Sequence, residues 1–292
     1  MANTRELQNR IKSIRDTMKI TKAMYMMSSM KLRKAKQKLE NTEAYFYGLQ
    51  EQIKEILLHF PDMQHVFFDN RMEDMQEEVK KKAFVVITGD KGMAGAYNHN
   101  VTKEAQAAID ALRENGGENY RLFVVGEVGR RYFSGLGYHI EPDFLFSTNN
   151  PTLHRAREIT TVLMDKYDKG EITKMYVIFT DYQNSYTEEA QVMRLLPFHK
   201  ADLGIIPPAW EKKVKTPFKF MPDLSEVLDN TIESYVLGIV YGALVDSFAS
   251  EQSARMNAMD SANRNSQEIL NDLRVQYNHT RQAMIRSRMN HS

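Results

Sequence analysis

Apolar and small residues recur at alternating steps of four and three along the first sixty positions. The set is Leu7, Ile11, Ile14, Met18, Thr21, Tyr25, Ser28, Leu32, Ala35, Leu39, Thr42, Phe46, Leu49, Ile53, Ile56 and Phe60. A repeat of 3.5 residues keeps one seam turned toward a partner helix, the rule for a left-handed coiled coil. No proline interrupts the run and Gly48 is its only glycine, so nothing in it forces a break. Asn3 with Glu6 forms a candidate capping box, and Pro61 marks the stop. At 1.5 Å per residue the helix spans roughly 80 Å.

The far end of the chain carries a matching ladder. After Pro222, with Asp223 or Ser225 available as N-cap, it runs Leu224, Leu228, Thr231, Tyr235, Gly238, Gly242, Val245, Ala249, Gln252, Met256, Met259, Asn263, Ser266, Leu270, Leu273, Tyr277, Thr280 and Met284. Ile232, Val236, Ile239, Val240 and Leu244 widen the stripe between Val227 and Phe248, so more than one face is covered there. The two ends are expected to pair antiparallel, with the middle of the chain inserted at one tip. Both seams contain soft layers, Thr21, Ser28, Ala35 and Thr42 on one side and Gly238, Gly242, Gln252, Asn263 and Ser266 on the other. A pair selected for stability alone carries leucine or isoleucine there. Close approach of the helices and a shaft that shares its surface with another protein both account for these layers.

Between the two ladders the period changes. AFVVIT (83–88), RLFVVG (121–126), KMYVIFT (174–180) and AQVMRLLPF (190–198) are strand-like apolar runs. Helical stretches separate the first three, at about 98–114, 127–134 and 151–169, the last with Asn150 as cap and Pro151 at the first helical position. Continuous apolar strands alternating with helices predict a parallel sheet covered on both faces. The short connection QNSYTEE (183–189) predicts one antiparallel edge. The expected fold is a small Rossmann-like α/β domain inserted between two coiled-coil helices. Its boundaries are 1–61 for the first helix, 62–82 for a charged linker with a short helical piece, 83–198 for the insert, 199–222 for a return rich in proline, and 223–292 for the last helix.

Composition narrows the function. The 292 residues include no cysteine, which removes disulfides, thiolate nucleophiles and cysteine metal sites. Charged residues make up 26% and unbroken apolar runs are short, so no transmembrane helix is expected, and the start lacks the apolar core of a signal peptide. A net charge of +1 conceals an asymmetry: residues 1–40 hold eleven Lys/Arg and three acids, a net +8, densest in KLRKAKQK (31–38). Such a helix suits an acidic partner or a solvated face. Aromatic residues are sparse there, Tyr25 being the only one before Tyr45, which favours protein over single-stranded nucleic acid. Met24, Met26, Met27 and Met30 form a soft cluster; on a helix such residues fill a core more often than a surface, although methionine tolerates sliding contacts.

Candidate chemistry is thin. The loop TGDKGMAGAYN (88–98) follows a strand and precedes a helix, but its GxxGxxG spacing is neither the dinucleotide fingerprint nor the phosphate loop. Lys91 could meet an anion there; a tight turn with close glycine packing is the simpler reading. Gly126 and Gly129 read as strand-end turns. The eight histidines are scattered, without HExxH, and His154 with Glu158 is a common spacing. There is no GxSxG elbow, and Glu188 with Glu189 sits in a polar turn. No catalytic, metal or cofactor site is expected.

KITKAMYMMSSMKLRKAKQ (19–37), TGDKGMAGAYN (88–98), SEQSARMNAM (250–259) and YNHTRQAMI (277–285) resemble, in order and over nearly the whole chain, the gamma subunit of bacterial F-type ATP synthases. The resemblance implies a non-catalytic rotor shaft at the centre of an α3β3 hexamer. Its insert would lie against the epsilon subunit and the c-ring, touching the membrane only through that ring, at the cytoplasmic face of the cell membrane. It would couple ion-driven rotation to ATP synthesis and hydrolysis on the β subunits and regulate ATPase activity. By motif match, Arg33, Lys34 and Lys36 face an acidic loop of β, with Met24 beside them. Glu251, Gln252, Arg255 and Gln282 lie where shaft and β loop catch each other. Beyond the RQA segment the family continues as ITxE and a small glycine-containing tail. Here Arg286 stands in place of the threonine, and Ser287–Ser292 contain neither acid nor glycine. The residues that make the family's top-bearing contact are therefore not matched here. No cysteine-bearing insert of the chloroplast kind is present, so thiol control is not expected. On the residues alone, two other readings stand beside this one, a nucleic-acid-associated coiled coil built on the basic helix and an enzyme using the 88–98 loop for a nucleotide.

Overall fold

The computed structural model describes residues 4–60, 65–68, 81–114, 120–184, 187–199, 221 and 223–289. Helix α1 (Thr4–His59) and helix α5 (Leu224–Met289) run unbroken for 56 and 66 residues. They lie antiparallel: the Thr4 hydroxyl meets Met284 Sδ at 3.8 Å, Gln8 donates to the Tyr277 hydroxyl at 2.8 Å, and Thr21 donates to Asn263 Oδ1 at 2.6 Å. The expected ladders are the buried faces. Along α1 every seam position is buried or half-buried except Tyr25 and Phe60, and along α5 every one except Met284. Asp223 caps α5, its Oδ1 accepting from the Glu226 amide at 2.9 Å, as one of the two alternatives required. The candidate caps Asn3 and Pro61 lie outside the described residues.

The methionine cluster departs from expectation. Met26, Met27 and Met30 face outward, at 67%, 50% and 61% exposure, and only Met24 is half-buried. The seam passes through Thr21, Ser28 and Leu32, and these methionines fall on the opposite side of the helix.

Between the long helices lies a four-stranded sheet of β1 (Lys82–Ile87), β2 (Tyr120–Val125), β3 (Lys174–Asn184) and β4 (Thr187–Leu196), in the order β2-β1-β3-β4. β1 is parallel to both neighbours and β4 is antiparallel to β3, the mixed sheet that the sequence predicts. Helices α2 (Tyr97–Glu114), α3 (Glu127–Gly135) and α4 (Leu153–Asp168) complete the insert. One cap moves. Thr152, not Asn150, begins α4, its hydroxyl accepting from the Arg155 amide at 3.2 Å. Asn150 turns the chain at φ 53°, so Pro151 precedes the helix instead of opening it.

Alternation along the strands feeds two cores. Phe84, Val86, Leu122 and Val124 join α2 and the Phe133 ring of α3. Ala83, Val85, Ile87, Phe123 and Val177 point the other way, into a core shared with α4 and with both long helices. Leu32, Ala35, Ile53 and Leu57 of α1 and Leu228 through Ala249 of α5 belong to that same core. This explains the wide apolar stripe of α5, which is a layer of the insert as well as half of the shaft. One window of α5 is apolar and long enough to cross a membrane, contrary to the reading from unbroken runs, but most of it is buried inside this core. Gly238 lies where a Cβ would overlap the Phe46 ring of α1, so the helices approach there only because the side chain is absent.

Val66–Phe68, inside the charged stretch 62–82, ties into the sheet. Phe67 and Phe68 are buried, the Tyr167 hydroxyl donates to Val66 O at 2.9 Å, and Phe67 O accepts from the Phe198 amide at 2.8 Å. The helical piece expected in that stretch and nearly all of 199–222 lie outside the described residues. Farther along the shaft a separate small core holds Leu7, Ile11, Met18, Leu270 and Leu273.

Candidate functional site

The glycine loop and the SEQxAR segment, far apart in sequence, meet in space. Gly89 leaves room for Glu251: a Cβ at Gly89 would come within 2.9 Å of Glu251 Oε1. One turn along α5, Arg255 Nη2 donates to Glu251 Oε1 at 2.6 Å and to the carbonyls of Lys91 and Gly92 at 3.4 and 3.2 Å. Asn98, in the first turn of α2, closes the loop from the other side. Its Oδ1 accepts from the Gly89 amide at 2.8 Å, and its Nδ2 donates to Lys91 O at 3.4 Å. The Gly89 amide and the Lys91 carbonyl are thus committed within the chain, and the loop is a packed turn.

Asp90 organises the neighbouring strand ends. Its carboxylate accepts from the Ser147 hydroxyl, from the Asn149 amide at 3.1 Å and from the Glu127 amide at the start of α3 at 3.3 Å. A pocket opens beside this cluster, bordered by Lys31 of α1, Asp90, Lys91, Ser147, Asn149 and Gln252. Gln252 Oε1 is buried there with no hydrogen-bond partner among the described residues. Burial drives the Glu251 carboxyl above its ordinary range; Arg255 pulls it back and Asp90 adds to the rise, with the net shift upward. Tyr97, fully buried below, has its phenol pushed far up by burial and by the Glu251 charge, against a hydrogen bond with Ser247.

The residues singled out in the sequence therefore divide. Glu251, Gln252 and Arg255 share one buried cluster, at 5%, 2% and 8% exposure. Arg33 and Lys34 are exposed on α1, within a turn of Lys31. Lys36 sits 4.6 Å over the Tyr182 ring, and neighbouring Lys38 donates to Asn150 Oδ1 at 2.9 Å and Pro151 O at 3.2 Å. Part of the basic run thus fastens α1 to the insert. Met24 is half-buried on the shaft, and Gln282 is exposed about 40 Å beyond the cluster along α5. Lys31, Asp90, Ser147 and Asn149 were not singled out. Asp90 carried a local signal, an acid inside the glycine loop, whereas nothing local announces Ser147 or Asn149.

Comparison with known proteins decides the family. A family model described as ATP synthase matches residues 3–289. The chain is 41% identical to the ATP synthase gamma chain of Ruminiclostridium cellulolyticum, over 97% of this chain and 94% of that one. The chain belongs to the ATP synthase gamma chain family. It is also 36% identical to the sodium-ion-specific gamma chain of Acetobacterium woodii, over 97% of this chain and 94% of the other. Among solved structures, the central stalk and c-ring assembly of Tetrahymena thermophila mitochondrial ATP synthase contains a similar chain. The match has a TM-score of 0.59 at 25% identity and covers 83% of this chain and 99% of that one. The rotor of the Euglena gracilis enzyme shares the fold at TM-score 0.60 and 14% identity, covering 97% and 98%. Gamma chains are non-catalytic central-stalk subunits of a membrane-associated complex, and this chain is one of them. The nucleic-acid and nucleotide-enzyme readings give way to this one.

Proposed function

We propose that the paired helices are an axle seated in an α3β3 hexamer, with the insert as its foot against the epsilon subunit and the c-ring. Ion flow turns ring and axle together, and the eccentric outline of the shaft drives each catalytic β subunit in turn through ATP synthesis or hydrolysis. The chain acts as a peripheral protein on the cytoplasmic face of the bacterial membrane. One observation carries the reading: two helices of 56 and 66 residues stay paired from Thr4 to Met284 and share their root with the core of the insert. A lever built in this way transmits twist through packing, and it needs no reactive group.

Contact with β is assigned to Met24, Arg33, Lys34, Lys36 and Gln282 on the shaft, with the buried cluster of Glu251, Gln252 and Arg255 supporting the surface that β meets. The exposed cations give attraction without a fixed lock, which suits a surface that must let go at each step. Because the chain has no cysteine, one introduced at Lys34 is unique. In a reconstituted complex, a disulfide from Lys34→Cys to a cysteine in the acidic loop of β stops ATP turnover, and reduction restores it. Unchanged turnover in the cross-linked complex, or an α3β3 ring indifferent to the subunit, rejects the axle.

A further inference from the structure

By family resemblance Glu251 and Arg255 belong to the surface that meets the hexamer, but neither faces outward. They are 5% and 8% exposed, and the loop between β1 and α2 covers them. What protrudes instead is the tip of that loop. Lys91, Gly92 and Met93 are exposed, Met93 at 65%, with its backbone held at φ 58°. The tip is fastened from below by the Arg255 guanidinium and from the other side by Asn98, which donates to Lys91 O at 3.4 Å. Arg255 donates to the carbonyls of Lys91 and Gly92, and the Glu251 carboxylate 2.6 Å away fixes the orientation of Arg255. Glu251 fits because residue 89 is glycine.

We infer that Glu251 and Arg255 are positioning residues that never touch the partner and that set the pose of the 91–93 tip. Lys91 of the tip and Lys31, which border the same pocket as Asp90, then present two cations to an acidic segment of the hexamer. A push on the tip passes through Arg255 straight into α5. The inference rests on the axle reading for the identity of the partner, while the clamp itself rests on the geometry of this chain alone.

A nitroxide on Met93→Cys, unique in a chain without cysteine, reports the pose of the tip in the full-length subunit. The parent gives an ordered spectrum. Arg255→Met loses both carbonyl bonds, and the balance of held and released tip shifts by at least about tenfold toward released, the scale expected for losing hydrogen bonds to a charged donor. Arg255→Lys keeps a donor and restores part of the order, and it carries the comparison if Arg255→Met does not assemble. The reversed pair Glu251→Arg with Arg255→Glu decides the mechanism. It keeps an ion pair, but a carboxylate at 255 cannot donate to two carbonyls, so the tip stays released. In the assembled complex, ions moved per ATP fall in step with tip order across the series. An ordered tip in the reversed pair overturns the clamp, as does lost coupling in Arg255→Met with an unchanged spectrum. The spectrum of the isolated subunit tests the clamp, and an ordered series without any effect on coupling faults the axle reading instead.

Discussion

Thr21 of α1 donates a 2.6 Å hydrogen bond to Asn263 of α5 across the seam of the shaft. Two soft layers of the ladders therefore face each other and satisfy each other. Thr21→Val leaves the half-buried Asn263 oxygen without this donor and is expected to cost about 1–2 kcal/mol. Replacing both, Thr21→Val with Asn263→Leu, is expected to return stability to the parent level or above while weakening the register that the polar pair specifies. Urea midpoints for the double-mutant cycle test this, and additive effects would show that the two residues are not coupled.

Gly238→Ala opposes two effects. Helix propensity favours alanine by about 1 kcal/mol, whereas the new methyl group overlaps the Phe46 ring near its attachment point. Overpacking at such sites costs about 1–3 kcal/mol, so the variant is expected to melt lower than the parent. Adding Phe46→Leu recovers much of the loss, and calorimetry of the three chains checks it.

Asp168, at the end of α4, gives a pH prediction. Desolvation first, then the neighbouring charges of Asp229 and Asp165, raise its carboxyl from the ordinary value of 3.8. The folded chain therefore keeps this proton to higher pH than the unfolded chain does, so stability declines as pH climbs through the window above 3.8. Asp168→Asn removes that decline. Its melting temperature should exceed the parent's at neutral pH, with the difference shrinking as pH falls below the window. A constant difference at every pH would refute the assignment.

Leu273 lies in the small core far from the insert, with Leu7, Ile11, Met18 and Leu270. Leu273→Ala is expected to cost about 2–3 kcal/mol, and the cost should stay local. Hydrogen exchange should accelerate in the segment from Leu7 to Met18 while protection around Val85 and Phe123 is unchanged. Faster exchange in both places would mean that the whole molecule opens as one unit.

The long helices and the strands were legible because their signal is repetitive. A seam written over sixteen positions from Leu7 to Phe60 survives the exposure of Tyr25 and Phe60. The strands, covered on both faces, announce themselves by unbroken apolar runs such as Phe84 to Ile87. Single-residue features were harder to read. Asn150 and Thr152 are both good caps, and only the turn at Asn150 selects Thr152. Met26, Met27 and Met30 are apolar, but composition does not state which side of a helix they occupy. Glu251 and Arg255 look like surface residues on a polar stretch of helix. Arg255 is covered by carbonyls 164 and 163 residues away and Glu251 packs against Gly89, relationships no local pattern contains.

The core that α1 and α5 share with the sheet reaches only part of the way along them. Below about Arg255 the C-terminal helix is gripped by strands, by α4 and by the glycine loop; beyond it, among the described residues, α1 is the neighbour that remains. Mechanically this is a cantilever with a clamped base and a compliant free span. Bending under load gathers in the span between Met256 and Met289, and the root turns as a rigid block.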